Sequence, residues 1–295
     1  MIRLMRALPL LVVLCFGSTC MTAAPSRPGD TARDPVGEVW TFDAGRTHLK
    51  AYRSGTGPEI VMFASAGREA SDFNELAESL VSAGYAVTLF EAPGINGVTS
   101  TAEAPTLFDL AEDAAIYLDT CEGPVVVLGH AFGNRLARAV ATRHPDKVRG
   151  VILLAAGGLK PIPEKAATAL ARSFDPRLTP EEHREAVRYG FFAQGNDIPD
   201  YWLRGWHGET GRLQGAATRA VDSKLWWKAG GKPLLVISGL QDAIAPPSDT
   251  IDLLEAELGE QVTAVRIDGA GHGLLPEVPA EIAAAITDWL AGLPD

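Results

Sequence analysis

The stretch that decides the fold is Val125-Val126-Val127-Leu128-Gly129-His130-Ala131-Phe132-Gly133-Asn134. An apolar, β-branched run ends at a Gly-x-x-x-Gly turn, and residues 134–140 continue with helical spacing. This order predicts a buried strand, a sharp turn and a helix, which is the arrangement of a nucleophile elbow. The two glycines let such a turn pass without clashes, and the residue midway between them stands above the sheet. In this chain that residue is Ala131, whose methyl group cannot act as a nucleophile.

The regions on either side of this stretch alternate between strand and helix patterns. Apolar runs typical of buried strands occur at residues 59–63, 85–91, 148–154, 232–238 and 261–267. Short strands at 38–42 and 48–54 are predicted to form an antiparallel pair at the sheet edge. Near-continuous apolar strands separated by helices predict an α/β fold, with a mostly parallel central sheet and helices on both faces. In such sheets, ligands bind at the carboxyl ends of the strands.

Residues 157–230 interrupt this alternation with helical patches and no convincing strand. Tryptophans occur here at positions 202, 206, 226 and 227. We interpret the region as an inserted helical cap, or lid, over the site. Trp202 and Trp206 are four residues apart and would share one face of a helix, so they are candidates for the wall of a substrate pocket. The alternative, favoured for any single ring, is that it packs the lid onto the sheet.

Three helix starts are marked by polar residues. Thr106 with Asp109 and Thr179 with Glu182 have the spacing of capping boxes, and the first of these helices is predicted to run to residue 118. Ser71 is predicted to cap a helix over residues 72–83.

Two side chains that could transfer protons follow strands late in the chain. Asp242 comes after the strand at 232–238, and His272 comes after the strand at 261–267. A solitary aspartate in a loop most often forms a turn. Asp242 is a candidate for proton transfer only because it follows a buried strand. Glycines flank His272 and leave its ring free to project. The chain order is therefore elbow, carboxylate, histidine.

From about residue 38 to its end, the chain resembles the α/β-hydrolase superfamily. Residues 129–133 are similar to the family's Gly-His-Ser-x-Gly elbow except at Ala131, and Asp242 and His272 match its acid and base positions. The resemblance implies an α/β-hydrolase fold and an esterase- or lipase-like protein for a small apolar ester or acyl substrate. It implies no cofactor.

The resemblance also implies an oxyanion hole made by two backbone N–H groups, those of Phe132 and Ala66. Ala66 lies in the loop after the strand at 59–63, where Ala64-Ser65 stands in place of the His-Gly of many relatives. Ser65 brings a hydroxyl close to the predicted pocket. A loop hydroxyl of this kind most often bonds its own backbone. The alternative is that Ser65 replaces the missing nucleophile.

Three explanations of Ala131 remain open at this point. Alanine stands for a serine that was removed deliberately, or it belongs to a non-catalytic protein that binds a ligand or partner in the lidded pocket. In the third explanation, Asp242 and His272 act as a general base without a covalent intermediate. Loss of one member of a catalytic triad leaves only about 10³–10⁴-fold catalysis over water, so efficient acyl-enzyme chemistry is not expected.

Composition limits the partners. The chain has 295 residues, of which 46% are hydrophobic, enough for one large α/β domain with an insertion. Its net charge of −11 argues against nucleic acid, since phosphate contacts need clustered lysine and arginine. The histidines at positions 48, 144, 183 and 207 have no metal-ligand spacing, so no metal site is predicted. We expect a small-molecule substrate or ligand.

The amino terminus has the layout of a signal peptide over residues 1–24. Arg3 and Arg6 precede an apolar run at 7–16 that is too short to span a bilayer, and small residues follow. We therefore expect a secreted or periplasmic protein with no transmembrane span after cleavage. A lipid anchor at Cys20 is the minor alternative, because the residues before it differ from a lipobox. The predicted order continues with a linker (25–36), the first part of the hydrolase core (37–156), the cap (157–230) and the second part of the core (231–295).

Overall fold

The computed structural model describes residues 29–293, so the predicted signal peptide and Cys20 lie outside the described residues. The strands are β1 Glu38–Asp43, β2 Thr47–Ser54, β3 Glu59–Phe63, β4 Ala86–Phe90, β5 Thr99–Ser100, β6 Val125–His130, β7 Val148–Leu154, β8 Leu234–Gly239 and β9 Val262–Ile267. The α-helices are α1 Asn74–Ser82, α2 Leu107–Leu118, α3 Phe132–Arg143, α4 Glu164–Ser173, α5 Pro180–Phe191, α6 Gly208–Arg219, α7 Ile251–Leu258, α8 Leu274–Glu277 and α9 Pro279–Ala291. Among them, none combines the length and apolar character that crossing a membrane requires.

The strands form one twisted sheet in the order β1-β2-β4-β3-β6-β7-β8-β9, and β5 pairs only with β2. β1 and β2 form the predicted antiparallel edge pair, and β2 also runs antiparallel to β4. All neighbours from β4 to β9 are parallel. The predicted fold class is therefore confirmed, with the strand β6 of the deciding stretch at the centre of the sheet.

Helices cover both faces of the sheet, which explains why its central strands have runs of consecutive apolar residues. Val125 and Val127 of β6 pack in one core layer with α2, α3 and α7. Val126 and Leu128 pack in the other layer with α1 and α9. Successive side chains of a strand point to opposite faces, so both sets are buried only when both faces are covered.

Two of the three predicted helix starts depend on local sequence and are confirmed, whereas the third is changed by a contact with a buried carboxylate. Both predicted capping boxes are present, at Thr106 and Thr179, and α2 ends at the predicted residue. The prediction at Ser71 was wrong. A 3-10 turn over Ala70–Phe73 precedes α1, and the Ser71 hydroxyl donates instead to the buried carboxylate of Glu69 at 3.3 Å. A capping side chain is lost here because a buried acid from the same loop competes for it.

The segment between β7 and β8 contains α4, α5 and α6 and no strand, and the structure describes all of it. We call residues 157–230 the helical insertion. Two of its tryptophans, Trp226 and Trp227, pack on the guanidinium of Arg138 in α3, with ring centroids 4.8 and 4.5 Å from its carbon. The insertion is thereby joined to the helix that begins at the elbow.

The described part of the predicted linker has no helix or strand, but it is held firmly against the domain. The Ala32 N–H donates to the Glu69 carboxylate at 3.1 Å. Arg33 forms an ion pair with Glu75 of α1 at 2.5 Å, and its guanidinium lies 3.7 Å from the centre of the Tyr201 ring in the helical insertion. These residues therefore connect the core to the insertion.

Candidate active site

The elbow is fully formed around Ala131. Its backbone has φ 50° and ψ −107°, a conformation that L-residues rarely adopt and that costs on the order of 1–3 kcal/mol. A Cβ on Gly129 would lie 2.0 Å from the carbonyl carbon of Gly133, and one on Gly133 would lie 1.9 Å from the carbonyl oxygen of Phe63. Both positions therefore require glycine, because β6, β3 and α3 meet there without room for a side chain.

Neighbouring groups hold Ala131 in this conformation. Its N–H donates to the carbonyl of Leu154 at 3.0 Å, and its own carbonyl accepts from the backbone N–H of Asn134 at 3.2 Å. The Asn134 side-chain amide donates to the same carbonyl, and the buried Arg138 donates to the Asn134 side-chain oxygen. The strain persists because these bonds determine the backbone from both sides of the turn.

Asp242 and His272 form the predicted pair. His272 Nδ1 donates to Asp242 Oδ2 at 2.8 Å, and each residue is only 4% exposed. The other carboxylate oxygen accepts from the backbone N–H groups of Ile244 at 2.9 Å and Ala245 at 2.7 Å. The carboxylate is thus fixed on three sides and selects the tautomer of His272 in which Nε2 is free to accept a proton.

The loop that carries His272 is fixed by residues from three other elements. His130 Nε2 donates to the His272 carbonyl at 2.8 Å, and burial lowers the pKa of His130 to about 3, so its ring is neutral. Glu277 accepts from the Gly271 N–H, and Phe191 of the helical insertion accepts from the Gly273 N–H. The role of Glu277 is not visible in the sequence, because nothing in the local pattern marks its partners.

The two predicted oxyanion donors are available for a ligand. The N–H groups of Ala66 and Phe132 donate to no other residue in the described chain, and Phe132 is the first residue of α3, where such groups lack helical partners. The loop of Ala66 is held from the helical insertion. Gln214 accepts from the Gly67 N–H at 2.8 Å, and the His207 N–H donates to the Gly67 carbonyl at 2.8 Å.

A cavity of about 1290 Å³ brings these groups together at the carboxyl edge of the sheet. Ala131, His272, Ala66 and Phe132 all line it, and α4 and α6 of the helical insertion complete its wall. Sites for small molecules usually measure about 300–1,000 Å³, so this cavity has room for more than a short ester.

Ser65 also lines this cavity and is 6% exposed. Its hydroxyl makes no hydrogen bond to any residue between 29 and 293, whereas its carbonyl accepts from the Arg68 N–H at 3.1 Å. The favoured expectation, a hydroxyl bonded to its own backbone, is therefore not what the structure shows. Ser65 stands as a free hydroxyl on the wall of the site.

Trp202 and Trp206, the candidates for the pocket wall, do not line the cavity, so their position agrees with the favoured alternative that each ring packs the insertion rather than contacts a ligand. They are 0% and 2% exposed, and they lie in a 3-10 turn and the loop after it rather than on one α-helix. The buried Arg68 guanidinium lies 4.5 Å from the centre of each ring, and Phe191 packs against both. The two rings are turned toward this buried cation, so they secure the helical insertion behind the site.

The sequence model of the alpha/beta hydrolase family matches residues 55–285, and the chain belongs to that family. The match covers both parts of the core and the insertion between them. It confirms the resemblance carried by the elbow, Asp242 and His272.

Individual proteins show the same fold. A thermophilic esterase from Thermogutta terrifontis is 21% identical with a TM-score of 0.70, and the match covers 87% of this chain and 99% of that one. A bacterial membrane phospholipase A, described as a virulence factor, is 18% identical with a TM-score of 0.71, over 87% and 86%. The polyketide synthase GfsE of Streptomyces halstedii is 29% identical over 203 residues, which are 62% of this chain but only 5% of the synthase.

Proposed function

We propose that the chain binds an ester or related acyl compound in this cavity and hydrolyses it slowly by general-base catalysis, without an acyl-enzyme. One observation carries the proposal. His272, which is hydrogen-bonded to Asp242, lines a cavity that Ala66 and Phe132 also line, and the N–H groups of these two residues have no hydrogen-bond partner among residues 29–293, although position 131 offers no nucleophile. The esterase and phospholipase names of proteins with the same fold support a carboxylic ester as the substrate class.

In the proposed reaction, His272 Nε2 takes a proton from a water molecule while the water oxygen attacks the ester carbonyl carbon. The carbonyl oxygen becomes an oxyanion, which the N–H groups of Ala66 and Phe132 stabilise. Asp242 stabilises the imidazolium that forms. The imidazolium then returns the proton to the departing alcohol as the tetrahedral intermediate collapses to the acid. Serine to alanine removes a single oxygen, so the methyl group of Ala131 leaves room for the water.

The setting of the reaction also belongs to the proposal. The predicted signal peptide supports secretion or a periplasmic location, with a Cys20 lipid anchor as the minor alternative. The helical insertion supplies one wall of the cavity and holds the oxyanion loop, which supports a lid role.

A second candidate is a protein that binds an acyl ligand without turning it over. The specific observation in its favour is Ala131, which occupies the nucleophile position of an otherwise assembled site. This candidate predicts ligand binding in the same cavity and no dependence of any reaction on His272.

His272→Ala tests the proposal. We expect the unsubstituted chain to hydrolyse 4-nitrophenyl butyrate above the buffer rate, and the variant to lose at least about tenfold of that excess, because general-base catalysis contributes roughly 10²–10⁴-fold. Steady-state release of 4-nitrophenol measures it. His48→Ala is the matched control, since His48 is an exposed histidine on β2. Equal rates for the unsubstituted chain and His272→Ala would support the binding protein instead.

A further inference from the structure

The wall of the cavity is rich in cations, although the chain as a whole is acidic. Among the described residues, two carboxylates line the cavity, those of Asp175 and Asp249. The six cationic side chains of the described chain that line it are Arg135, Lys160, Arg172, Arg177, Arg212 and Arg219. A cleft lined by one sign of charge concentrates ligands of the other sign. This distribution therefore favours an anionic ligand.

Half of these cations already have a carboxylate partner. Arg177 pairs with Asp175 at 2.8 Å, Arg172 lies 3.8 Å from Glu182, and Arg212 pairs with Glu209. Lys160 and Arg219 form no ion pair within the described chain, but both side chains are exposed and remain hydrated.

Arg135 has neither a partner nor full hydration. It forms no ion pair or hydrogen bond with any residue in 29–293, and its Nε atom is buried without a partner. The residue as a whole is partly buried. This burial lowers the pKa of its guanidinium, and no neighbouring carboxylate acts in the opposite direction.

Arg135 lies in the same cavity as the candidate reacting centre. It is the fourth residue of α3, the helix that begins directly after Ala131, and both residues line the cavity. Its Nη2 atom lies 4.0 Å from where a Cβ on Gly157 would stand, and Gly157 also lines the cavity. The guanidinium thus borders the cavity that Ala131 and His272 also line.

An arginine remains protonated in proteins, so a partly buried guanidinium without a counter-ion is costly to the free protein. A ligand anion would compensate the charge and satisfy the Nε donor. The planar fork of arginine matches a carboxylate through two parallel hydrogen bonds, which gives geometric selectivity as well as affinity.

We infer that the substrate carries a carboxylate on its acyl part and that Arg135 binds it, so that the substrate class is a half-ester of a dicarboxylic acid. This inference rests on the proposed function and refines its substrate, replacing the apolar ester expected from the sequence. Lys160 and Arg219 at the cavity wall attract the anion toward Arg135.

The test compares two esters in the Ala131→Ser background, where we expect turnover to be fast enough to measure accurately. Mono-4-nitrophenyl adipate and 4-nitrophenyl hexanoate share a six-carbon acyl chain and differ by the terminal carboxylate. We expect kcat/KM to favour the adipate. Arg135→Gln should reduce that preference by about 10–100-fold, the range for a hydrogen bond to a charged group. Arg135→Lys keeps the charge but lacks the planar guanidinium. Its preference for the adipate should lie between that of the chain with Arg135 and that of Arg135→Gln.

Arg149→Gln is the matched control, because it removes the same charge from the amino end of β7, outside the cavity lining. It should leave the preference for the adipate within about twofold. If the two esters react equally and Arg135→Gln changes nothing, the carboxylate assignment is wrong while the hydrolase function stands.

Calorimetric binding to the unsubstituted chain separates the two proposals. Monomethyl adipate should bind more tightly than dimethyl adipate, and Arg135→Gln should remove the difference. Arg135-dependent binding of the half-ester by an unsubstituted chain that hydrolyses neither ester would overturn the hydrolase function and leave the carboxylate assignment. Equal binding of the two adipates would overturn the assignment.

Discussion

Ala131→Ser is expected to raise kcat/KM for 4-nitrophenyl butyrate by roughly three orders of magnitude. Removing a serine nucleophile from an intact triad costs on the order of 10⁶-fold in kcat. We expect the serine introduced here to recover only part of that factor. The elbow already holds position 131 in the strained conformation that a nucleophile needs, and the Asp242–His272 pair is in place. His272 should therefore activate the introduced hydroxyl without further changes to the site. Steady-state kinetics measures the gain.

The same variant should also react with a fluorophosphonate probe, and peptide mass analysis should place the adduct on residue 131. Ala131→Ser combined with His272→Ala is the control, which should not be labelled because the hydroxyl then has no base. A folded Ala131→Ser variant that neither gains activity nor reacts with the probe would show that the site is not assembled for acyl transfer.

Asp242→Asn in the Ala131→Ser background is expected to lower kcat by up to about 10⁴-fold with a much smaller change in KM. The amide can still accept from the N–H groups of Ile244 and Ala245, so the loop should keep its shape. It no longer selects the productive tautomer of His272 or stabilises the imidazolium.

The matched control is Asp268→Asn, which changes an exposed carboxylate in the loop that leads to His272. It should lower kcat by less than about twofold. Values of kcat and KM for both variants, measured beside thermal unfolding, separate a catalytic loss from a folding defect. A loss of less than tenfold in Asp242→Asn would contradict the assigned role of this carboxylate.

The fold and the three motif positions could be predicted from the sequence because their causes are local. Strand β6 is apolar over residues 125–128 because both faces of the sheet are covered, and the glycines at 129 and 133 stand where neighbouring backbones leave no room. Chain order then placed Asp242 and His272 at the carboxyl ends of β8 and β9. Parallel strands bring their carboxyl ends to one edge of the sheet. The sheet topology therefore predicts that Asp242 and His272 lie close together.

The remaining features of the site depend on contacts between distant segments, which one sequence does not reveal. Trp202 and Trp206 surround the buried guanidinium of Arg68, a partner more than a hundred residues earlier in the chain. Gln214 fixes the loop of Ala66 only because the helical insertion folds back onto the core, and Glu277, which fixes Gly271, also accepts from the Ala193 N–H of that insertion. Arg135 stands out because it has no partner in the part of the chain that the structure describes, which only the folded chain shows.

Covalent catalysis through the Ser65 hydroxyl is the clearest rival to general-base hydrolysis. Ser65 lines the same cavity and could act as the nucleophile that position 131 lacks. In that mechanism an acyl group would accumulate on Ser65 before water removes it. General-base hydrolysis by His272 forms no such intermediate, so the two mechanisms differ in the first turnover.

Pre-steady-state release of 4-nitrophenol by the unsubstituted chain therefore tests the central claim most directly. General-base hydrolysis by His272 predicts a linear, slow release from the first turnover, with no burst, and an unchanged rate in Ser65→Ala. A burst close to one equivalent per chain that disappears in Ser65→Ala would contradict it and assign the nucleophile to Ser65.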